Sequence, residues 1–224
     1  MSVSVIIPLF NNYDMTVDCI ESITQPCELI LVDNASTDAT QAMPVTIRND
    51  TNTGFAHACN QGAEAATGDV LVFINNDMVA HDGWLAPLVE QLDDPTVGIV
   101  GARLLYPNGT VQHSGVGVNF NQPPGLEAWN RRDDWTIVPV DVDAVTGACL
   151  AISADLFYEL GGFDEGFVNG YEDVDLCLSV AAAGLRVVYE PASVLTHYES
   201  QSGPSRFAHA GANIERLRTK WGAA

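Results

Sequence analysis

Residues 71–77 read Leu71-Val72-Phe73-Ile74-Asn75-Asn76-Asp77, an apolar run that ends in three small polar residues. A short run of this kind, rich in β-branched and aromatic residues, predicts a buried strand. In α/β proteins such strands deliver polar side chains to the carboxyl edge of a parallel sheet, where ligands bind. The stretch therefore predicts an α/β fold with a metal or phosphate site at Asp77.

Two earlier segments end in the same way and extend this sheet. Val3–Ile7 is an apolar run that we expect Pro8 to stop, and Glu28–Val32 is a second run that leads into Asp33. Helical patterns, such as the Ala-rich segment 55–66, separate these runs. Strands that alternate with helices over about the first hundred residues predict a doubly wound, mostly parallel sheet with its polar strand ends on one edge.

The pattern changes in the second half of the chain. Periodicity loosens over residues 103–143 and returns in a helix at 155–160 and in an acidic helix from Glu172. A strand is predicted at 187–189 and a last helix at 208–221. These elements predict a mixed second half, and no linker composition separates it from the first.

Charge is distributed unevenly along the chain, which carries a formal net charge of −20. Residues 1–102 contain fourteen acids and a single base, Arg48. Such a surface repels a nucleic-acid backbone, so we expect no nucleic-acid partner. If this half binds a diphosphate, a single base is too few side-chain cations to neutralise it, so a divalent metal has to do so. Asp77 would then be a ligand of that metal, or alternatively a turn-capping residue.

A second acidic cluster, residues 170–175, opens the predicted helix that begins at Glu172. Peptide dipoles at a helix start favour ionised carboxylates, and mutual repulsion keeps their pKa from falling far. Asp173 is therefore a candidate general base, with an ordinary acidic helix cap as the alternative. His197 is a candidate metal ligand or a buried hydrogen-bonded histidine. Asp33 either accepts hydrogen bonds from a nucleoside or caps the next short helix.

Several phosphate-binding and catalytic motifs are absent from the sequence. It contains no G-x-G-x-x-G after the first strand, no G-x-x-x-x-G-K-[ST] and no G-x-S-x-G. These absences disfavour dinucleotide-dependent enzymes, P-loop nucleotidases and α/β-hydrolases.

Seven motifs of this chain, in the expected order, resemble those of family 2 glycosyltransferases, and the nearest members are non-processive and rhamnosyltransferase-like. The resemblance covers roughly residues 3–200 and implies a GT-A fold. It implies an inverting transfer of a hexose or deoxyhexose from a nucleotide diphosphate sugar, with UDP- and dTDP-sugars favoured. The resemblance rests on residues 3–11, 31–38, 52–62, 73–77, 145–148, 161–165 and 171–176.

Motif matching also implies roles for individual residues. Asn76 and Asp77 match the D-x-D motif of the family, whose first acid is replaced by Asn75, so Asp77 is the chief carboxylate ligand of Mn²⁺ or Mg²⁺. Asp173 matches the base of the E-D motif, with Glu172 beside it. The residues expected to hold the nucleotide sugar are Pro8, Phe10, Asn11, Asp33, Gly54, Asn60, Asn75, Asn76 and Gly147.

The acceptor implied by the resemblance is a hydroxyl group of a glycan or of a lipid-linked molecule. We expect the loop 121–135, with Trp129 among its residues, to order over this acceptor. The Q-x-x-R-W signature of processive members is missing, because Gln201 and Arg206 have the wrong spacing and Phe207 follows. The chain is therefore not expected to polymerise its product.

We expect one domain over residues 1–224, with a nucleotide-binding half at 1–102, an acceptor and catalytic half at 103–200 and a tail helix within 201–224. Two alternatives stay open. A nucleotidyltransferase that makes nucleotide sugars would need a Gly- and Arg-rich first loop, which is missing. A non-catalytic module that binds nucleotide sugars would not need the intact Glu172 and Asp173.

No apolar run reaches the ~18 residues that span a bilayer, and the amino terminus lacks the basic region of a signal peptide, so we expect a cytoplasmic protein. The tail helix 208–221 carries an apolar stripe and three bases. We expect it to dock on the domain; the alternative is weak peripheral contact with an anionic lipid-linked acceptor at the inner membrane face. The stripe consists of Ile214, Leu217 and Trp221, and the bases are Arg216, Arg218 and Lys220.

Overall fold

The computed structural model describes residues 1–121, 128–130, 132, 136–198 and 208–222, without the side chains of 128 and 129. Most of the predicted acceptor loop, including Trp135, and the segment with Gln201, Arg206 and Phe207 lie outside these residues. The helices are α1 Tyr13–Ser22, α2 Phe55–Ala65, α3 Leu85–Gln91, α4 Ala154–Glu159, α5 Glu172–Ala182 and α6 Ala210–Trp221. The strands are β1 Val3–Leu9, β2 Glu28–Asp33, β3 Ile47–Arg48, β4 Val70–Ile74, β5 Met78–Ala80, β6 Val97–Leu105, β7 Val111–His113, β8 Val116–Val118, β9 Ala128–Asn130, β10 Val140–Asp141, β11 Cys149–Ser153 and β12 Arg186–His197.

Strands from both halves of the chain join one sheet in the order β10-β12-β6-β11-β4-β1-β2-β3. The strands β4, β1, β2 and β3 are parallel neighbours, as the alternating pattern predicted. Strand β11 then lies antiparallel between β4 and β6, and β10 is antiparallel to β12. Short strands β5 and β7 extend the far ends of β12 and β6. The predicted parallel first half and mixed second half are therefore confirmed.

Helices cover both faces of the sheet, which is why β4 is apolar at every position. Its side chains alternate between the two faces: Leu71 and Phe73 pack on one side, and Val70, Val72 and Ile74 pack on the other. Helices α2, α4 and α5 contribute to the first core, and α1 and α3 contribute to the second. Full burial of a large apolar side chain contributes about 1.5–3 kcal/mol, so the central strands anchor the edge that follows them.

Several strands run further than the sequence pattern predicted. We expected Pro8 to stop the first strand. This prediction was wrong, because strand β1 passes through Pro8 and ends at Leu9. Strand β4 pairs with β1 only as far as Ile6, so the missing N–H of Pro8 removes no ladder bond on that side. Strand β12 continues to His197, although its register against β6 shifts between Glu190 and Val194. This length carries His197 past the sheet centre to the strand ends.

Over the residues that the structure describes, every helix is too short or too polar to cross a lipid bilayer.

Candidate active site

The carboxyl ends of β1, β2 and β4 meet the amino end of β11 at one edge of the sheet. The register pairs Leu9 with Asp33, and Asn34 donates its N–H to the carbonyl of Leu9 at 2.8 Å. Asn75 donates its N–H to the carbonyl of Ala148 at 3.0 Å, one residue before β11 begins. The polar residues that follow β4 therefore lie beside the loop that precedes β11.

The turn after β1 is held in a left-handed conformation by its neighbours. Asn11 and Asn12 have φ values of 59° and 62°, which asparagine tolerates better than most residues. Oδ1 of Asn11 accepts the N–H of Thr37 at 2.7 Å, and Nδ2 of Asn76 donates to the carbonyl of Asn11 at 3.1 Å. These bonds leave Phe10 at the edge with 36% of its surface exposed.

Asp33 lies at this edge but is 1% exposed. Its Oδ1 accepts the N–H of Ser36 at 3.0 Å, and its Oδ2 forms an ion pair with Arg48. The short helical turn that follows is capped by Asp38, whose side chain accepts the N–H of Thr40 at 2.9 Å. A nucleoside bound here would have to share oxygen atoms that Asp33 already uses. Arg48, the single base of residues 1–102, is engaged by this pair.

Asn34 organises the loop that leads to Gly54, and sequence reasoning gave it no role. Its Oδ1 accepts the N–H of Thr53 at 2.9 Å, and its Nδ2 donates to Asn52 at 2.9 Å and to the carbonyl of Gly54 at 3.2 Å. Gly54 has φ 89°, a conformation that glycine adopts freely, and helix α2 begins at the next residue, Phe55. The loop therefore places Gly54 next to the strand ends.

The structure places Asn60 away from the strand ends. Its Nδ2 donates to the carbonyl of Phe163 at 2.9 Å and to Glu165 at 3.0 Å, and its Oδ1 accepts the N–H of Phe163 at 3.0 Å. It borders a separate polar cavity lined by Asp175 and Lys220. The amide of Asn60 thus joins α2 to the loop 161–165, and its expected contact with a nucleotide sugar stays a prediction.

The two asparagines that follow β4 differ in the hydrogen bonds of their side chains. Both bonds donated by Nδ2 of Asn76 are structural, since they go to Asn11 and to Oγ1 of Thr16 at 2.9 Å. Among the described residues, no group forms a hydrogen bond with the side-chain amide of half-buried Asn75. Asp77, which follows Asn76, is buried beside His197.

Asp77 and His197 are brought together by the pairing of β5 with β12. Tyr198 donates its N–H to the carbonyl of Asp77 at 3.0 Å, and the register pairs His197 with Met78. Nε2 of His197 lies 3.2 Å from Oδ1 of Asp77. Although buried, this Oδ1 accepts no well-directed hydrogen bond from the described residues.

The donor set at this point fits a divalent cation. Nδ1 of His197 lies 2.6 Å from Oε1 of Gln112, so Nδ1 carries the hydrogen and Nε2 keeps a lone pair that is available to a cation beside Asp77. Two ligands on adjacent octahedral positions, with bonds of about 2.1 Å, lie roughly 3 Å apart. Within the described residues, no group of three or more His, Cys, Asp or Glu side chains could hold a metal. A cation on this pair would need further ligands from phosphate and water.

Asp173 faces the same edge from the start of α5. Its Oδ2 accepts the N–H of Gly147 at 2.8 Å, and its Oδ1 accepts the N–H of Val174 at 2.8 Å. A methyl group on Gly147 would lie 3.3 Å from Cβ of Asp173 and 3.2 Å from the ring of Phe55. A side chain at position 147 would therefore force Phe55 or Asp173 to move by a few tenths of an ångström. The Gly147–Ala148 segment bonds to Asp173 on one side and to Asn75 on the other.

Burial, more than repulsion between the acids, sets the protonation of this pair. Burial raises the pKa of Glu172 to about 7, and the charge of Asp173 adds to the shift. Burial also raises the pKa of Asp173, against opposing hydrogen bonds that include those from Gly147 and Val174. Glu172 accepts the N–H of Gly170 at 2.6 Å. A carboxylate with a raised pKa is a stronger base than an exposed one.

Helix α6 supports the loop that leads into α5. Asn213, 3% exposed, donates to the carbonyls of Val168 and Gly170 at 2.9 Å and accepts the N–H of Val168 at 3.1 Å. The loop needs such support because Asn169 and Tyr171 have φ values of 51° and 73°. The sequence gave no signal for Asn213, because its partners lie 43 and 45 residues away.

Two bases of α6 pair with acids of the domain. Arg216 lies 2.7 Å from Asp164, and Lys220 lies 2.8 Å from Asp175. Trp221 also donates to Asp175, at 2.8 Å. Leu217 is fully buried, while Ile214 is only half-buried, so the packed stripe consists of Asn213, Leu217 and Trp221. These contacts favour docking over membrane contact.

Comparisons with known proteins agree with this geometry. The family described as "Glycosyl transferase family 2" matches residues 4–160. The O-antigen biosynthesis protein RfbC of Myxococcus xanthus is 41% identical over 151 residues, which cover 64% of this chain and 12% of RfbC.

Two solved structures share the fold across 97% of this chain. GalNAc-T7, crystallised with UDP, GalNAc and Mn²⁺, matches with a TM-score of 0.75 at 18% identity over 48% of its own chain. The mannosyltransferase PcManGT from Pyrobaculum calidifontis, in complex with GDP-Man and Mn²⁺, matches with a TM-score of 0.69 at 23% identity over 64% of its own chain. The expected GT-A fold is therefore confirmed, and the chain spans only part of the proteins it matches.

Proposed function

This chain belongs to glycosyl transferase family 2, and we propose that it transfers a sugar from a nucleotide diphosphate sugar to a hydroxyl group of a glycan or lipid-linked acceptor, with inversion at the anomeric carbon. The observation that carries the proposal is the meeting of two groups at one sheet edge. Asp77 and His197 form a pair suited to a cation, and Gly147 holds Asp173 at the loop whose next residue, Ala148, bonds to Asn75. The relative named for O-antigen biosynthesis supports a glycan acceptor.

Asp77 and His197 are the residues that would hold Mn²⁺ or Mg²⁺. When bound, the cation would neutralise negative charge on the diphosphate leaving group. The presence of Mn²⁺ in the two structural neighbours supports this role. So does the charge distribution, because Arg48 is engaged by Asp33 and residues 1–102 contain no other Lys or Arg.

The proposed reaction is a single displacement. Asp173 takes the proton of the acceptor hydroxyl, and the acceptor oxygen bonds to the anomeric carbon from the face opposite the diphosphate. The bond from that carbon to the diphosphate oxygen breaks, and the nucleoside diphosphate leaves with the electron pair. Base catalysis of this kind contributes ~10²–10⁴-fold to the rate. Glu172, with a pKa of about 7, holds a proton over part of the neutral range beside this base.

The nucleoside is proposed to lie along the ends of β1 and β2. Phe10 offers an exposed aromatic face at this edge. The turn at Asn11 holds that face in place, because its N–H donates to Oγ of Ser36 at 2.8 Å. Gly54 borders this edge through its carbonyl, which accepts from Asn34, and so does the side-chain amide of Asn75, with which none of the described residues forms a hydrogen bond. Asp33 stabilises this edge through its ion pair with Arg48. Each of its oxygens can also accept a second hydrogen bond, which the nucleoside would donate.

The test is a panel of UDP-, dTDP- and GDP-sugars incubated with Mn²⁺ and glycan acceptors, with release of nucleoside diphosphate as the readout. We expect release with at least one donor, and a glycosylated product when the acceptor is present. A nucleotidyltransferase would instead release pyrophosphate from a nucleoside triphosphate and a sugar phosphate. A binding module would bind a nucleotide sugar without release, and either result would contradict the proposal.

A further inference from the structure

Strand β7 contains a β-bulge that turns two successive side chains inward. The register of β6 against β7 pairs Leu104 with His113 and Leu105 with Val111, so Gln112 is the extra residue. In a regular strand, successive side chains point to opposite faces. Here Gln112 and His113 are both buried, at 3% and 1% exposure. Bulges next to active sites often redirect a side chain in this way.

The two side chains reach opposite sides of the proposed site. Gln112 contacts His197 twice: its Oε1 lies 2.6 Å from Nδ1, and its Nε2 donates to the His197 carbonyl at 3.4 Å. His113 accepts the N–H of Thr146 at 3.4 Å, next to the residue that binds Asp173, and its other ring nitrogen contacts Asn130. Asn130 in turn donates to the carbonyl of Gln112 at 3.1 Å, which holds the bulge.

We propose that Gln112 is a positioning residue that fixes the tautomer and the ring orientation of His197 for a divalent cation. The second contact, to the His197 carbonyl, determines which end of the amide is oxygen, so Oε1 accepts the Nδ1–H. Nε2 is then left as an acceptor 3.2 Å from Oδ1 of Asp77. Two acceptors at this distance repel each other, and a shared cation removes that repulsion.

This inference rests on the proposed function, because it requires the cation site at Asp77 and His197. It adds a residue that makes no contact with the cation. Residues that accept a hydrogen bond from the ring of a metal-bound histidine typically contribute 10–100-fold to metal affinity. The carboxylate of a Gln112→Glu variant can accept the same Nδ1–H, whereas the side chain of a Gln112→Leu variant cannot.

The experiment measures the Mn²⁺ dissociation constant of the full chain by electron paramagnetic resonance and calorimetry, without donor or acceptor. We expect Gln112→Leu to weaken binding about 10–100-fold and Gln112→Glu to bind within about threefold of the wild type. The matched control is Gln91→Leu, which removes a 2.9 Å bond from Gln91 to buried Glu190 that does not involve His197. It should leave the Mn²⁺ affinity unchanged.

The outcomes separate this inference from the proposed function. If the wild type binds no Mn²⁺, either alone or with a nucleoside diphosphate added to supply the phosphate ligands, the proposed metal dependence fails. If the wild type binds Mn²⁺ and Gln112→Leu binds it equally well, the positioning role alone is overturned. A merely structural role predicts the reverse order of the two variants, because a buried carboxylate is harder to accommodate than leucine. If Gln112→Leu does not fold, Gln112→Asn, whose side chain is one methylene shorter, replaces it in the comparison.

Discussion

The N–H of Gly147 donates a 2.8 Å hydrogen bond to Oδ2 of Asp173, which joins the loop before β11 to the first turn of α5. Asn75 donates to the carbonyl of Ala148, so this bond also places Asp173 beside the residues that follow β4. The proposed base and the proposed cation site are thus fixed to adjacent strand ends. The geometry makes the two functions separable by substitution.

Asp173→Asn should abolish most transfer while the donor still binds. The amide retains an acceptor oxygen for the Gly147 N–H but cannot take a proton from an acceptor hydroxyl. We expect turnover to fall ~10²–10⁴-fold and donor affinity to change less than about threefold. Steady-state kinetics and calorimetry with the donor provide the two values. The control is Asp155→Asn, an exposed acid in the first turn of α4, which should behave as the wild type.

Asp173 is not the base if the Asp173→Asn variant turns over at a rate close to that of the wild type. A loss of donor binding as large as the loss of turnover would place Asp173 in the donor site instead.

Glu172→Gln should change how stability depends on pH. Burial raises the pKa of Glu172 from 4.5 to about 7, so the folded protein holds this proton more tightly than the unfolded chain does. The resulting stabilisation is complete below pH 4.5 and is lost as the pH rises through about 7. Glutamine cannot ionise, so the free energy of unfolding of the variant should gain on that of the wild type from about pH 5 to pH 8.

Urea unfolding of both proteins across that pH range measures the difference. The bond from the Gly170 N–H survives in the variant, because glutamine retains an acceptor oxygen. A difference between the two proteins that is constant with pH would contradict the raised pKa of Glu172.

The docked helix α6 should contribute to stability and not to membrane binding. Leu217 is fully buried, so Leu217→Ala should cost about 2–5 kcal/mol in the free energy of unfolding. Thr219→Ala, at an exposed position of the same helix, should cost much less. In sedimentation with anionic and neutral liposomes, the wild type should stay in the supernatant with both. If the protein sedimented with anionic liposomes but not with neutral ones, the result would support the membrane alternative.

The parallel half of the fold and the two acidic positions could be predicted because their signals are local. The run 71–77 contains both the buried strand and the carboxylate that follows it, and the cluster 170–175 contains both the helix start and its acids. Strand alternation and a shared carboxyl edge follow from general rules of α/β folds. Asp77 and Asp173 could therefore be selected as candidate residues without knowledge of the tertiary structure.

The supporting residues could not be predicted, because their partners are distant in sequence. Gln112 binds a histidine 85 residues away, and it faces that histidine only because of a bulge. Asn60 was assigned to the donor from its motif, but its amide binds residues 103 and 105 positions away. The three-residue strands β5 and β7 were missed because three residues are too short to display a period. The available signal in the sequence was three adjacent polar residues, Gln112, His113 and Ser114, between the apolar strands β6 and β8.

The most direct test of the proposed site is donor binding and turnover with Mn²⁺, with EDTA, and in variants of the two proposed ligands. We predict that EDTA abolishes turnover and that added Mn²⁺ or Mg²⁺ restores it. Asp77→Ala should reproduce the effect of EDTA. His197→Ala should weaken metal dependence less than Asp77→Ala does. His81→Ala, an exposed histidine that bonds Thr196 at 2.9 Å, is the matched control and should retain full activity. Full donor affinity and full turnover in EDTA would contradict the proposed site.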